Sequence, residues 1–70
     1  MSPNAAAQHV KNALDEMNHG DRSVFILYEL EGLSGKQVAD LLGCPVATVW
    51  RRLHYSRRIF KHTVSTASMV

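Results

Sequence analysis

Apolar positions recur at three- and four-residue steps along most of the chain, the spacing of helices rather than the alternation of strands. Ala6, Val10, Ala13 or Leu14, and Met17 form one such face, which predicts a first helix beginning at Ala6. The NHGD run at 18–21 interrupts it. Gly20 suits the left-handed backbone that ends a helix, and Asp21 suits the capping position of the next one. A second helix is expected from about Arg22 to Glu31. Its Val24, Phe25, Leu27, Tyr28 and Leu30 are too many for a narrow stripe, so it should be the most buried element. Gly32 ends it. Ser34 and Gln37 then have the spacing of a capping box and open a third helix, whose apolar residues are Val38, Ala39, Leu41 and Leu42. Two turns do not persist alone, so this helix requires neighbours.

Gly43 stops the third helix, and Pro45 stands where a fourth begins, its missing N–H costing nothing there. The fourth is expected to run to about His62 or Thr63. Helix, tight turn, helix is the spacing of a helix-turn-helix. At about 100° per residue, Val46, Val49, Leu53, Ser56 and Phe60 of the fourth helix share a core-facing sector. Ala47, Arg51, His54, Tyr55, Arg58 and His62 fall opposite. Trp50 and Arg57 flank one edge and Arg52 the other. The expected fold class is therefore all-α: a four-helix domain over residues 6–63 with a C-terminal helix-turn-helix at about 34–63 and no wing. Residues 1–5 read as a disordered or appended start, and 64–70, small and uncharged, as a frayed tail. The expected core is Val24, Leu27, Leu30, Val38, Leu41, Val49 and Leu53.

Composition narrows the function classes. An apolar content of 46% with 20% charged residues is ordinary for a globular chain. One cysteine excludes an internal disulfide and fits a reducing compartment. The apolar runs are far shorter than the ~20 residues that cross a bilayer, and no signal peptide is evident. The expectation is a soluble cytoplasmic protein with no membrane partner. Charge is unevenly spread: residues 1–43 carry three basic side chains against six carboxylates, whereas residues 44–70 carry five basic side chains and no acid. A basic last third points to a polyanion as partner.

The stretch CPVATVWRRLHYSRR, 44–58, concentrates that charge. Arginine can fork two donors to guanine or hold a phosphate, and His, Tyr and Thr can donate to phosphates or base edges. The candidate DNA-binding residues are Lys36, Thr48, Trp50, Arg51, Arg52, His54, Tyr55, Arg57 and Arg58. Trp50 has two readings: a lid over the junction of the third and fourth helices, or a contact to sugars or a thymine methyl. Catalysis is not expected, because Cys44 has no histidine at dyad spacing and reads as a small helix-start residue. His9, His19, His54 and His62 show no i, i+4 pairing, so neither a metal nor a cofactor is expected. Glu29 and Glu31 lie about 200° apart on a helix and read as solvated or as contacts to a basic partner.

From Val24 onward the chain resembles region 4 of bacterial sigma factors, in particular the extracytoplasmic-function group. The resemblance rests on R-x-V-F-x-L-Y-E-L-E-G-L-S (22–34), Q-V-A-D-L-L-G (37–43), C-P-V-A-T-V (44–49) and R-L-H (52–54) followed by Arg57. With the first helix it covers about sixty residues. It implies a four-helix DNA-binding domain that recognises the −35 promoter element through its last helix, during transcription initiation. It implies docking on the β flap of RNA polymerase, capture by an anti-sigma factor, and association with the nucleoid during initiation. It also implies base and phosphate contacts from Trp50, Arg51, His54 and Tyr55, with Arg52 and Arg57 as basic neighbours. The chain departs from the family pattern at Ala47, Trp50, Arg51, Tyr55 and Ser56, and has Met17–Asn18 where Leu-Pro is usual. Because a sigma factor also needs a domain that melts the −10 element, an excised C-terminal domain is favoured over a stand-alone relative. Two other readings compete: a protein-interaction module for the polymerase flap or an anti-sigma factor with weak DNA affinity, and a generic helix-turn-helix transcriptional regulator.

Overall fold

The computed structural model describes the backbone of residues 5–68 and the side chains of 5–65. Of the expected loose start at 1–5, residues 1–4 lie outside the described residues, as do the last two of the expected tail, while Ala5 is the first residue of α1. The described residues are helical and form four elements: α1 (Ala5–Asp15), α2 (His19–Phe25) continuing into a wider turn (Ile26–Leu30), α3 (Gly35–Leu42) and α4 (Val46–Ser68). The all-α, four-helix expectation with a C-terminal helix-turn-helix holds. The helix α4 packs against each of the other three.

Between α1 and α2 the sequence reading is corrected. The cap of α2 is Asn18, whose side chain accepts from the Asp21 backbone N–H at 2.9 Å. Gly20 lies inside α2 with no positive φ. Its role is close approach: a Cβ there would sit 3.1 Å from the Arg52 guanidinium. Asp21, expected as the cap, is a buried first-turn residue that favours the positive end of the helix dipole. The C-terminus of α1 is held from outside, where Arg22 donates through Nε to the Leu14 carbonyl at 2.8 Å and through Nη2 to the Met17 carbonyl at 2.9 Å. The Leu14 carbonyl also accepts from the Met17 N–H at 3.1 Å, so Arg22 adds a second bond at this helix end.

The second helix keeps its expected end, but its last turn is wound wide, the Glu31 N–H reaching back five residues to the Ile26 carbonyl at 2.9 Å. Gly32 follows with φ 76°. The capping box of α3 forms in both directions: Gln37 N–H to Ser34 Oγ at 3.1 Å, and Ser34 N–H to Gln37 Oε1 at 2.9 Å. Gly43, with φ 66°, closes α3 in the left-handed conformation that only glycine adopts cheaply. The Pro45 carbonyl then accepts the first bonds of α4 from Thr48 and Val49. The fourth helix passes the expected end at His62 or Thr63 and reaches Ser68. Thr63 donates to Glu16 at 3.1 Å, tying α4 at its expected end to the residue that follows α1.

The core is Val24, Val38, Ala39, Val49 and Leu53, flanked by Leu27, Tyr28, Leu33, Leu42 and Cys44. Ala13, Met17 and Phe25 are also buried, and Phe25 stacks on Phe60 with ring centroids 5.0 Å apart. Two residues of the expected core, Leu30 and Leu41, are not in it, nor is Val46 of the expected core-facing sector: they are 52%, 65% and 43% exposed. They occupy apolar wheel positions at helix ends, where no neighbouring element covers them. Ala6 is likewise exposed. Ser56 is fully buried, and its hydroxyl donates to the Leu53 carbonyl at 3.0 Å, which satisfies it inside the core.

Candidate nucleic-acid interface

The core residues of α4 fix which way the rest of the helix faces. With Val49, Leu53 and Ser56 buried, Ala47, Arg51, His54, Tyr55, Arg58 and His62 are all exposed on the opposite side, as the periodicity predicts. His54 and Tyr55 meet edge to face at 5.7 Å. Among the described residues Arg51 and Arg58 make no ion pair. Lys36 is exposed near the start of α3, and Thr48 is half-buried in the first turn of α4.

Beside this face runs a groove of about 620 Å³ between the α1–α2 turn and the C-terminal half of α4. Glu16 and Asp21 line one wall, and Tyr55, Arg58 and His62 the other. The outer face of α4 thus ends against acid rather than continuing as an unbroken basic stripe.

The two edges of α4 are not open in the same way. On one, Arg52 is half-buried over Gly20. On the other, Trp50 covers the α3–α4 junction. A Cβ on Gly35 would fall 2.5 Å from the indole, and Tyr28 meets the indole edge to face at 5.6 Å. Trp50 thus makes the contacts of a lid, and 47% of the residue stays exposed. Arg57 lies on the same edge and is not unbalanced. Its Nε donates to Glu29 Oε1 at 2.6 Å, its Nη2 pairs with the same oxygen, and its guanidinium lies 5.6 Å from the Tyr28 ring centre. The stretch 44–58 contains no acid, but the fold brings one from 28 residues upstream.

Sequence reasoning therefore found the outer face and missed what shapes its edges: Tyr28, Glu29, Gly35 and, away from the face, Gly20 and Arg22. Tyr28 and Glu29 both sit on the wide turn at the end of α2, and no local spacing announces that turn. Cys44 is a half-buried free thiol packed beside the core. Among the described residues no three His, Cys, Asp or Glu side chains are grouped as a metal would require, and no helix is long and apolar enough to cross a membrane.

A helix-turn-helix whose second helix bares arginine, histidine and tyrosine, and carries no acid of its own, defines a DNA-binding domain. Residues 3–59 match the family described as Sigma-70, region 4, and the chain belongs to that family. At the level of the family this is a DNA-binding domain of transcription initiation that takes part in promoter recognition and works with RNA polymerase. No curated protein matches the chain individually.

Proposed function

We propose that this domain binds the −35 element of double-stranded promoter DNA through the outer face of α4, as the C-terminal domain of an extracytoplasmic-function sigma factor. The observation that carries the reading is the exposure of Arg51, His54, Tyr55 and Arg58 on one side of a helix whose other side is locked in the core. In this reading Arg51, His54 and Tyr55 face the major groove. Lys36, Thr48 and Arg58 hold backbone phosphates, and Trp50 braces the junction that aims the helix. The protein does no chemistry on its ligand; it works in the cytoplasm, at the nucleoid during initiation.

Docking on the polymerase β flap, or capture by an anti-sigma factor, belongs to the first half of the chain. What favours this second activity is the exposure of Leu30 and Leu41, two large apolar side chains outside the DNA face. Pull-down of a flap fragment should be lost on replacing both leucines by serine while DNA binding persists.

The DNA reading is tested by titrating duplex promoter DNA over a range of salt. Each neutralised phosphate contributes about −0.9 to the slope of log K against log salt, so about −3 to −5 is expected in all. The pair Arg51→Ala and Arg58→Ala should weaken binding and flatten the slope by about one such unit, that of Arg58 on its phosphate. Binding that ignores both salt and this double change overturns the reading. Selection from random duplexes would then identify the bases read by Arg51, His54 and Tyr55.

A further inference from the structure

Arg57 is the arginine whose charge the fold has already used. Both of its contacts to Glu29 converge on one carboxylate oxygen, and its guanidinium lies over Tyr28, which in turn abuts Trp50. These are the donors and the planar face that an arginine offers to a phosphate. Glu29 comes from the acidic half of the chain and Arg57 from the basic helix. The pair therefore sits where the two halves meet, at the edge of the DNA-binding face. Its side chains are 54% (Arg57) and 31% (Glu29) exposed, so the donors are within reach of solvent yet already occupied by an anion.

We propose that Glu29 acts as an internal substitute for a DNA phosphate, holding Arg57 out of the set of charges with which α4 grips its ligand. The inference rests on the DNA-binding reading above and adds a residue that sets its strength. Together Glu29 and Arg57 present no net charge to the duplex, so they release no counterion on binding. Affinity is then held below what the arginine count of α4 would give, and a larger share of it is left to Arg51, His54 and Tyr55, which face the bases. An exposed pair of this kind biases an equilibrium by only up to about fivefold, so removing its acid should be tolerated by the fold.

The test is a charge cycle on the full chain, reading duplex affinity at several salt concentrations. Glu29→Gln keeps shape and an acceptor but removes the charge. It should tighten binding severalfold at low salt and steepen the salt slope by about 0.9, the signature of one additional phosphate. Glu29→Ala should steepen it equally. The double variant Glu29→Gln with Arg57→Gln is neutral again and should return to the parental slope, while Arg57→Gln alone, leaving Glu29 unopposed, should bind more weakly than the parent. Far-UV circular dichroism and Trp50 emission check that each variant is folded. If the parent binds with a salt slope but both Glu29 variants leave it unchanged, the proposal is wrong. It is equally wrong if the neutral double variant is shallower than the parent by about 0.9, because Arg57 would then already be reaching a phosphate. A parent whose binding ignores salt overturns the DNA reading itself, a separate outcome.

Discussion

Replacing Leu53 and Leu41 by alanine, one at a time, separates true burial from helical patterning. Both sit at apolar wheel positions that predict core, yet Leu53 is 2% exposed and Leu41 65%. Leu53 shares its buried cluster with Val24 of α2, Val38 and Ala39 of α3, and Val49 of its own helix. Truncating it opens a cavity between three helices, at a cost of about 2–5 kcal/mol. Seventy residues at roughly 0.05–0.15 kcal/mol each hold about 3–10 kcal/mol in total, so this one change removes a large share of the margin. Leu41 has lost only about a third of its surface to neighbours. Full burial of a leucine stabilises by about 1.5–3 kcal/mol, so Leu41→Ala should cost only about 0.5–1 kcal/mol. Urea denaturation followed by circular dichroism measures both, and Trp50, the sole tryptophan, supplies a fluorescent second probe. A clearly lowered midpoint, or loss of the folded baseline, is expected for Leu53→Ala, with a near-parental curve for Leu41→Ala. Equal losses at the two positions would refute the packing described for α3 against α4.

Three further changes probe the joints of the fold. Gly35→Ala adds a helix-favouring residue but drives a Cβ to within 2.5 Å of the indole, so Trp50 should swing outward and its emission shift to the red; an unchanged spectrum contradicts the lid. Gly43→Ala forces an L side chain to φ 66° at the helix-turn-helix turn, and should lower stability by about 1–2 kcal/mol in the same urea titration. Arg22→Gln removes two charge-assisted bonds to the end of α1; each such bond is worth about 1.5–3 kcal/mol, so faster amide exchange should appear in α1 before it appears in α4.

Some of this architecture is legible in the chain because its causes are local. The Ser34–Gln37 box and Gly43 act within a few residues of themselves, and α3 begins and ends where they say. The outer face of α4 follows from its period, because a single buried seam leaves the opposite side no choice. The failures also have local explanations. Asn18, His19, Gly20 and Asp21 offer two capping side chains and one glycine. Asn18 is the one that caps, and Gly20, over which Arg52 lies, falls inside α2. Leu30, Leu41 and Val46 carry the right hydropathy at the wrong ends of their helices. Periodicity assigns a direction to a side chain but cannot supply the neighbour that would bury it.

The same distinction divides the four arginines of α4, which look alike in the sequence. Arg52 turns inward over Gly20, and Arg57 is taken by Glu29 and Tyr28. Arg51 and Arg58 are exposed and make no ion pair among the described residues, but Arg58 borders the groove that holds Glu16 and Asp21. Between Arg51 and the Arg57–Arg58 positions there is thus a gradient of opposition: no carboxylate pairs with Arg51 among the described residues, whereas Arg57 is paired with Glu29 and Arg58 stands across a groove from Glu16 and Asp21. A helix entering the major groove reads bases with its N-terminal residues. Electrostatic attraction here is therefore concentrated where readout occurs, and it is muted where extra charge would only tighten binding to any sequence. Arg51→Ala should accordingly cost more discrimination between promoter and random duplex than Arg58→Ala does. Competition titrations of the two variants measure that difference, and equal losses would show that the gradient has no bearing on specificity.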